Sequence, residues 1–505
     1  MESERLEMDV EVPSEYSMND TKKLRQVENI LNCLILTKKE TDKIRKIFIE
    51  EMNNGLREEP SSLQMENTYI ENLPDGTEEG KFLSLDLGGT NFRILLTTFR
   101  GGEVTETTVQ HYEISQELRL GSGTDLFDHV ADCVCHFINE KQLTDNKISL
   151  GEYAKCHLCC PGTCQSSNRW IPRTVQQRNN QKWPASVTRL VLLSGFTFSF
   201  PITHHSLRSG FLVNWTKSFK CMDVVGKDVV QLLNKSLLKK GCYNVNIKAI
   251  LNDTTGTLVM GALIDKKTSI GLIIGTGSNA CYTEKSERVK YWETNSHLGN
   301  EVIINIEWGA FGDNGVIDFV KTEFDVQVDE NSLLVKSFTF EKYISGKYLG
   351  ELVRVILVKL VKEGVLFGGR FSKELLTAHK FSSAYISHIE EDMLNGTMTG
   401  TRQVLEVLNI PNWSEEDVGL IRYVCRLVTN RSALLVAICL SVLLDRMDKK
   451  EVTIAVDGSV YEKHPTYRFT LEKYLRQMTK KKFKFLRVSD GSGKGAAVVV
   501  AISNK

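Results

Sequence analysis

The pattern of apolar and polar residues along the 505-residue chain predicts helices and strands in both halves. Apolar residues recur every three or four positions over 21–58, which indicates a long opening helix with a break near Lys38. Strand-like runs lie at 82–113 and 196–200. Strands that alternate with helices in this way predict an α/β fold. The further helical patterns lie at 124–141, 228–240, 350–362, 418–445 and 494–503.

A polar turn rich in glycine joins two apolar runs at residues 82–96, FLSLDLGGTNFRILL. Glycines in such a hairpin let backbone N–H groups approach a phosphate closely. Asp86 could hold a metal ion beside that phosphate, directly or through water. No Lys-Ser/Thr pair follows the glycines, so the turn is not a Walker loop. An ordinary hairpin with a Gly-Gly turn is the alternative interpretation.

A second glycine-rich turn lies at residues 269–282, SIGLIIGTGSNACY, between an apolar run and a run of small residues. One such turn alone is weak evidence for a phosphate site. Two of them in one chain favour two similar lobes that face one nucleotide.

The composition argues against some classes of function. Lys+Arg and Asp+Glu both number 63, so the net charge is zero, which argues against a nucleic-acid surface or a broad membrane patch. No window approaches about 18 uninterrupted apolar residues, so we expect no transmembrane segment. The acidic, polar first residues are neither a signal peptide nor a transit peptide. We therefore expect a cytosolic protein (cytoplasmic localisation) whose 12 cysteines are reduced.

Residues 151–194 interrupt the pattern, because they lack sustained periodicity. A structural zinc site normally spreads its ligand pairs over a longer loop, which argues against a zinc knuckle in this segment. A surface insertion and a stretch that does not belong to the protein are the other interpretations. The segment holds 4 of the 12 cysteines, namely Cys156, Cys159, Cys160 and Cys164.

We favour the hypothesis that residues 151–194 are a translated intron. Their removal joins Leu150 to Gly195 and gives KISLGFTFSFP, a direct entry into the strand at 196–200. Both ends of the segment can be encoded by codons that contain a splice donor and a splice acceptor, and its 44 codons keep the reading frame. A genuine insertion remains the alternative, since surface loops tolerate insertions. In that case Val191-Leu192-Leu193 would start the strand.

Polar residues follow apolar runs at several places, although packing in a hydrophobic core does not require polar residues there. Taken singly, each is more often a strand-end or capping residue. Sugar hydroxyls both donate and accept hydrogen bonds, so they pair well with Asp, Glu and Asn. Together with two phosphate hairpins, the set indicates phosphoryl transfer onto a hydroxyl. These residues are Ser199, Thr216, Lys217, Asn252, Asp253, Asn279 and Glu307.

The motifs together resemble one family, the eukaryotic hexokinases of the single-unit type of about 50 kDa. They run from 86 to 497 and cover nearly the whole chain apart from 151–194. The resemblance implies the actin-like, ribonuclease H-like fold, in which two α/β lobes enclose a cleft. An N-terminal, small-lobe region would occupy 21–221, and a C-terminal, large-lobe region 222–503. In family order the motifs are DLGGTNFR, GFTFSFP, NWTKSFK, LNDTTGTL, GTGSNACY, INIEWGAFGDNG, SGKYLGELVR, VDGSVYEKHP and SDGSGKGAA.

The resemblance also implies roles for single residues. Asp253 is the base that takes the proton from the sugar hydroxyl, and Lys217 stabilises charge on the transferring phosphoryl group. The chain departs from the family at 334–340, where relatives usually have a loop that contains Gly and Gln. The implied sugar contacts are Ser199, Phe200, Thr216, Lys217, Asn252, Asp253, Asn279, Glu307 and Glu341. The implied nucleotide contacts are Asp86, Leu87, Gly88, Gly89, Thr90, Asn91, Arg93, Thr276, Gly346, Lys347, Ser383, Ser387 and Ser459.

The implied activity is ATP-dependent phosphorylation of glucose, fructose and mannose at the 6-hydroxyl, the first step of glycolysis. ATP and Mg²⁺ are the implied cofactors, and the metal is bound through ATP, with Asp86 reaching it through water. The alternatives are a non-catalytic sugar-binding or sensing protein on a hexokinase scaffold, and an actin-like ATPase without a sugar site. Asp253, Lys217 and Arg93 favour the enzyme. We expect a hexose and ATP as partners, no nucleic acid, and a monomer or weak homodimer.

Overall fold

The computed structural model describes residues 21–89, 91–143, 191–290 and 301–505. Its strands are β1 Glu66–Asn67, β2 Gly80–Leu87, β3 Asn91–Arg100, β4 Glu103–Glu113, β5 Leu192–Phe198, β6 Ile202–Ser206, β7 Ser209–Leu212, β8 Val245–Leu251, β9 Thr268–Ile274, β10 Ser278–Lys285, β11 Glu301–Asn305, β12 Glu451–Asp457 and β13 Lys482–Arg487. Its α-helices are α1 Thr21–Leu31, α2 Lys38–Leu56, α3 Gln116–Leu120, α4 Gly123–Glu140, α5 Val229–Lys239, α6 Asp253–Ile264, α7 Glu323–Glu330, α8 Thr339–Ile344, α9 Gly346–Lys362, α10 Lys373–Leu376, α11 Ser383–Asn395, α12 Thr399–Val407, α13 Glu415–Arg446, α14 Ser459–Lys463, α15 Tyr467–Met478 and α16 Gly491–Ser503.

The first sheet is built on the hairpin at the first glycine-rich turn. Its strand order is β4-β3-β2-β5-β8, with β2 antiparallel to β3 and parallel to β5. Side chains alternate between the two faces of a strand, so Leu83, Leu85 and Leu87 of β2 share a core with α4 and α5. The opposite face, which carries Phe82, packs against α6 and α16.

The second sheet repeats this plan around the second glycine-rich turn. Its strand order is β1-β11-β10-β9-β12-β13, where β9 is antiparallel to β10 and parallel to β12. One face packs against α2, α8, α13 and α15, and the other packs against α6. The prediction of an α/β fold with two similar lobes is thus confirmed.

The predicted opening helix is divided near Lys38, as expected. α1 ends at Leu31 and α2 begins at Lys38. Thr37 caps α2, because its hydroxyl accepts the N–H of Glu40 while the Glu40 carboxylate accepts the N–H of Thr37. The break lets the two helices join different apolar clusters, since α1 packs with α9 and α12 whereas α2 packs with the six-stranded sheet.

The sheets do not divide the chain at the predicted boundary between 221 and 222. β8 lies after that boundary, yet it is an edge strand of the five-stranded sheet. α16, near the end of the chain, packs against β2 and β5 of the same sheet. The division into 21–221 and 222–503 therefore stays a prediction about sequence regions.

Two of the described cysteines form a disulfide. Cys135 in α4 is bonded to Cys242, which follows α5, and their Cα atoms are 6.0 Å apart. The expectation that all cysteines are reduced is wrong for this pair. The cause is the packing of α4 and α5 side by side on one face of the five-stranded sheet. Cys33, Cys133, Cys221, Cys281, Cys425 and Cys439 are free.

The long helix α13 is apolar enough to cross a membrane by length and composition alone. Its whole apolar window is buried inside the protein, where it contributes to two hydrophobic clusters. A helix that is apolar on all sides is expected when protein surrounds it on all sides. The expectation of no transmembrane segment stays a prediction.

Most of the segment 151–194, including its four cysteines, lies outside the described residues. Its last residues are described, and Leu192 begins β5. Ser194 pairs with Leu83 of β2 and with Ile247 of β8, so this end of the segment is part of the sheet. The intron hypothesis covers the whole of 151–194, and a β5 that begins at Leu192 is what the alternative of a genuine insertion expects. The intron and zinc-knuckle hypotheses both stay predictions.

We expect a chain that lacks residues 151–194 to be at least as stable as the full-length chain. The deletion supplies Ile148-Ser149-Leu150 as the start of β5 in place of Leu192-Leu193-Ser194, so a largely apolar strand start is kept. Thermal unfolding followed by circular dichroism gives the midpoints. The matched control lacks 148–191, which removes equally many residues but retains the native strand start.

A 151–194 deletion chain with a lower midpoint than the full-length chain would contradict this expectation. The intron hypothesis itself is decided by sequencing transcripts across the junction. It is refuted if no message lacks these codons and the native protein yields peptides from Trp183 to Arg189.

Candidate active site

A cavity lies between the two sheets, where several strands end. Residues after β5 and β7 line one side, and residues after β8, around the β9–β10 turn and after β11 line the other. The lining residues are Ser199, Pro201, Thr216, Lys217, Asn252, Asp253, Ile273, Gly277, Ser278, Asn279, Glu307, Gly309, Phe338 and Glu341.

Glu307 is the centre of a hydrogen-bond network in this cavity. Its Oε1 accepts from the side-chain amides of Asn305 at 2.8 Å, Asn279 at 3.2 Å and Asn252 at 3.2 Å. The residue is partly open to the cavity, but the surrounding protein removes most of the water from its carboxylate. This burial raises the pKa of Glu307 to about 7, although the bond from Asn305 lowers it, and the charge of Asp253 raises it further.

Asp253 is the first residue of α6. Asn252 caps the helix, because its side chain accepts the N–H of Thr254 at 3.0 Å. The positive end of the helix dipole favours a carboxylate at this place. Lys217 Nζ donates to the Ser199 carbonyl at 2.8 Å and lies 3.4 Å from Asp253 Oδ2. A carboxylate and an ammonium group thus meet at one end of the cavity.

Glu341 is on α8, on the six-stranded side of the cavity. Its Oε2 accepts the N–H of Ser278 at 3.2 Å, so it is tied to the second glycine-rich turn. Burial raises the pKa of Glu341, and the charge of Lys217 opposes this shift.

Both glycine-rich turns approach Lys217. A Cβ added at Gly89 would lie 3.3 Å from the Lys217 side chain, and a Cβ added at Gly277 would lie 3.0 Å from it. In the first turn, the N–H of Gly88 donates to the Asn91 carbonyl at 3.1 Å. Thr90 lies outside the described residues. The two predicted phosphate turns therefore both lie next to the Lys217 side chain.

Asp86 and Arg93 are paired beside the first turn. Arg93 donates to Asp86, and it also donates to Asp490 at 2.9 Å and to Ser492 Oγ at 2.9 Å. Ser492 Oγ donates to Asp86 Oδ2 at 2.8 Å. The charge of Asp86 is the main cause that raises the pKa of Arg93.

The second turn carries the start of α9. The N–H of Gly346 donates to the Gly275 carbonyl at 2.8 Å, and the N–H of Lys347 donates to the Thr276 carbonyl at 3.1 Å. Ser383 Oγ donates to the Gly346 carbonyl. Burial lowers the pKa of Lys347, and the charge of Glu341 opposes this shift.

Two further predicted nucleotide residues lie close to these elements. Ser459 begins α14, and its backbone nitrogen would be 3.5 Å from a Cβ added at Gly275. Ser387 lies one turn after Ser383 on α11, on the same face of the helix.

Two of the predicted residues, Leu87 and Phe200, have side chains in the hydrophobic core. Leu87 is buried in the core under β2, and its carbonyl accepts the N–H of Ser199 at 3.2 Å. Phe200 packs behind the cavity, with its ring centroid 4.8 Å from that of Trp215 and 4.9 Å from that of Phe219. Both side chains support the site from the hydrophobic core.

Sequence reasoning missed Asn305 and Asp457. Asn305 precedes Glu307 by two positions in the apolar run INIEW, and this spacing is a local signal that could have found it. Asp457 ends β12, accepts the N–H of Gly458 at 2.7 Å and that of Gly491 at 3.0 Å, and its burial raises its pKa to about 6. Among the residues that the structure describes, no group of three or more His, Cys, Asp or Glu side chains could hold a metal ion.

Comparisons with known proteins identify the family. Two sequence models described as hexokinase match the chain, one over residues 26–156 and 169–263 and the other over 269–502. A hexokinase from Schistosoma mansoni complexed with glucose is 33% identical, has a TM-score of 0.82, and is matched over 96% of this chain and 100% of that chain. The chain belongs to the hexokinase family. The resemblance that the motifs indicated is confirmed.

Other hexokinases are also similar to this chain, and some of them are about twice as long. A second solved hexokinase is 27% identical, with a TM-score of 0.71, over 95% of this chain and 99% of that one. Hexokinase-2 of Homo sapiens is 38% identical over 494 residues, 95% of this chain and 48% of that protein. Hexokinase-1 of Rattus norvegicus is 36% identical over 492 residues, with the same shares. The chain therefore spans about half the length of the curated relatives it matches.

Glu307 predicts a pH dependence of stability in this hexokinase-family chain. Its folded-state pKa is about 7, against an ordinary value of 4.5. Between these values the folded chain holds a proton that the unfolded chain has released, so the free energy of unfolding falls as pH rises. The fall from this group between about pH 4.5 and pH 7 is at most about 3 kcal/mol. Denaturant unfolding across this range should show a smaller fall in Glu307→Gln than in the wild type.

The control for this experiment is Glu391→Gln, the same change at an exposed position of α11. It should follow the wild-type curve. Parallel curves for the wild type and Glu307→Gln would show that Glu307 does not carry the shifted proton.

Proposed function

We propose that this chain transfers the γ-phosphoryl group of ATP to the 6-hydroxyl of a hexose, as the first step of glycolysis. The observation that carries the proposal is the pair of Asp253 and Lys217, whose charged groups lie 3.4 Å apart in a cavity lined by side chains that pair with hydroxyls. Glucose as a substrate is supported by the similar Schistosoma mansoni structure, which is complexed with glucose. Fructose and mannose are proposed with it because they carry the same reacting hydroxyl.

Asp253 acts as the general base in this proposal. Its carboxylate takes the proton of the 6-hydroxyl as the hydroxyl oxygen attacks the γ-phosphorus. The bond between the γ-phosphorus and the bridging oxygen breaks, and ADP leaves with that electron pair. Lys217 stabilises the negative charge on the transferring group.

The other hydroxyls of the hexose would pair with Glu307, Glu341 and Asn279. A carboxylate and an amide from different strands can satisfy hydroxyls that both donate and accept. Because Glu341 is buried and Glu307 is largely removed from water, a sugar hydroxyl replaces hydrogen bonds that water supplies poorly at this site.

The nucleotide is proposed to lie along the two glycine-rich turns. Their backbone N–H groups and small residues suit a polyphosphate, and both turns approach Lys217. Lys347 adds a positive charge next to the second turn, and Arg93, which is paired with Asp86 and Asp490, lies beside the first. When bound with the nucleotide, Mg²⁺ would neutralise phosphate charge, and Asp86 is the carboxylate that would reach it through water.

The catalytic role of Asp253 is tested by Asp253→Asn. The amide keeps the shape of the side chain but cannot accept the proton, so kcat should fall by about 10²–10⁴ while glucose binding remains. ADP release, coupled to a spectroscopic assay, measures turnover across glucose, fructose and mannose. Calorimetry measures glucose binding in the same preparation.

The matched control is Asp448→Asn, which makes the same change at an exposed side chain. It should keep the wild-type kcat. A turnover near normal in Asp253→Asn would rule out Asp253 as the base. A wild type that binds glucose but releases no ADP would favour the sugar-sensing alternative.

Glucose should also draw the two sides of the cavity together. Ser199 and Lys217 lie on the five-stranded side, whereas Asn279, Glu307 and Glu341 lie on the six-stranded side. A sugar that bonds to both sides favours the closed arrangement and excludes water. Small-angle scattering should therefore give a smaller radius of gyration with D-glucose than without it, and no change with L-glucose. An unchanged radius with D-glucose would indicate a site that is closed before the sugar binds.

A further inference from the structure

One aromatic side chain, Phe338, lies among the polar residues that line the described cavity. Pro201 and Ile273 are the other two lining residues with sizeable apolar side chains. Phe338 belongs to the segment 334–340, which leads into α8. The part of the cavity wall that Phe338 forms is therefore apolar, whereas most of the other lining residues are polar.

The backbone holds Phe338 in place. The residue has a φ of 57°, in the left-handed region that side chains other than glycine seldom adopt. It stands at the N-terminus of α8, where its N–H and that of Thr339 donate to the Asp313 carboxylate at 2.9 and 2.8 Å. Asp313 thus caps the helix from another loop and fixes the direction in which Phe338 leaves the backbone. Strained backbone that neighbouring contacts maintain is typical of functional positions.

The Phe338 ring lies beside Glu341. Phe338 directly precedes α8, Glu341 lies in the first turn of that helix, and both residues line the cavity. Gly309 leaves room for both, because a Cβ there would lie 3.4 Å from Glu341 Cβ and 3.6 Å from Phe338 Cδ1. A sugar hydroxyl accepted by Glu341 would therefore have the ring as its neighbour.

A phenyl ring can contact the C–H edge of a sugar, but it neither donates nor accepts a hydrogen bond. A site that hydrogen-bonds a hydroxyl rejects the analogue without it by roughly 10⁴–10⁵, whereas an apolar wall discriminates by only about 10–200-fold. Loss of the hydroxyl that faces Phe338 should therefore weaken sugar binding little, whereas loss of the hydroxyl bound by Glu341 should weaken it strongly.

We infer that Phe338 is a specificity-determining residue, which makes the sugar site tolerant of hexoses that lack the hydroxyl facing its ring. The inference rests on the proposed function and names its substrate class more closely: glucose and a deoxyglucose that lacks one hydroxyl. Phe338 selects through the contact it makes with the sugar, and Asp253 remains the base.

Equilibrium binding of glucose and its 1-, 2-, 3- and 4-deoxy analogues, measured by calorimetry without ATP, tests the inference. The wild type should bind one analogue within about tenfold of glucose. Phe338→Gln supplies an amide that can bond to the facing hydroxyl, so the preference for glucose over that same analogue should rise by about 3–10-fold. Phe338→Leu keeps an apolar wall and should leave this ratio unchanged.

The control is Val335→Gln, which introduces the same amide at an exposed position of the same segment. It should leave every ratio as in the wild type. A left-handed backbone conformation is unfavourable for both Gln and Leu. Thermal midpoints show whether all variants are folded. Ratios that do not change in Phe338→Gln, or that change equally for all analogues, would overturn the inference.

The binding measurement separates this inference from the proposed function. A chain whose binding ratios shift as expected but which releases no ADP would retain the inference and lose the proposed activity. A chain that phosphorylates glucose but shows unshifted ratios would retain the activity and lose the inference. A wild type that binds none of these sugars would overturn both.

Discussion

The close contact between α6 and α16 sets the distance between the two sheets. A Cβ at Gly495 would lie 1.9 Å from the carbonyl oxygen of Gly256, so the helices meet backbone to backbone. α16 packs against β2 and β5 of one sheet, and α6 packs against β9 and β12 of the other. Any side chain at this crossing would push the sheets apart, because close-packed interiors have no room for added atoms. The width of the cavity between the sheets therefore depends on Gly256 and Gly495.

The same contact positions the chemistry. α6 begins at Asp253, directly after β8, so the helix that joins the sheets carries the carboxylate at its first turn. Gly271 of β9 extends the contact, since a Cβ there would lie 2.3 Å from the Thr254 carbonyl oxygen. Asp253 is therefore fixed relative to β9, and through β10 and β11 relative to Asn279 and Glu307. The proposed base, Asp253, therefore shares one rigid frame with Asn279 and Glu307, as a reaction that depends on positioning requires.

The sequence predicts those features whose signals are local. A glycine turn between apolar runs specifies a hairpin by itself, and polar residues such as Asn252 and Glu307 stand out at the ends of buried strands. Asp457 also ends a buried strand, but its contact with Gly491, which is distant in sequence, could be seen only in the fold. The Cys135–Cys242 disulfide could not be foreseen either, since it depends on how α4 and α5 pack. The edge position of β8 likewise depends on sheet order, which local patterns do not encode.

Charge in the cavity links Asp253, the proposed base, to Glu307 and Glu341, the proposed sugar-binding residues. Asp253, Glu307 and Glu341 surround a single Lys217, whose charge opposes the raised pKa of both glutamates. Three ionised carboxylates near one cation repel one another, and burial makes that repulsion costly. A proton on Glu307 relieves it, and the amides of Asn305, Asn279 and Asn252 favour the ionised form by donating to the same oxygen. Sugar hydroxyls that donate to these carboxylates act in the same direction as the amides, so a bound sugar favours loss of the proton from Glu307. The protonation of Glu307 and the electrostatic surroundings of Asp253 are therefore coupled. A substitution at Glu307 changes the charge near Asp253, and a substitution at Asp253 changes the pKa of Glu307.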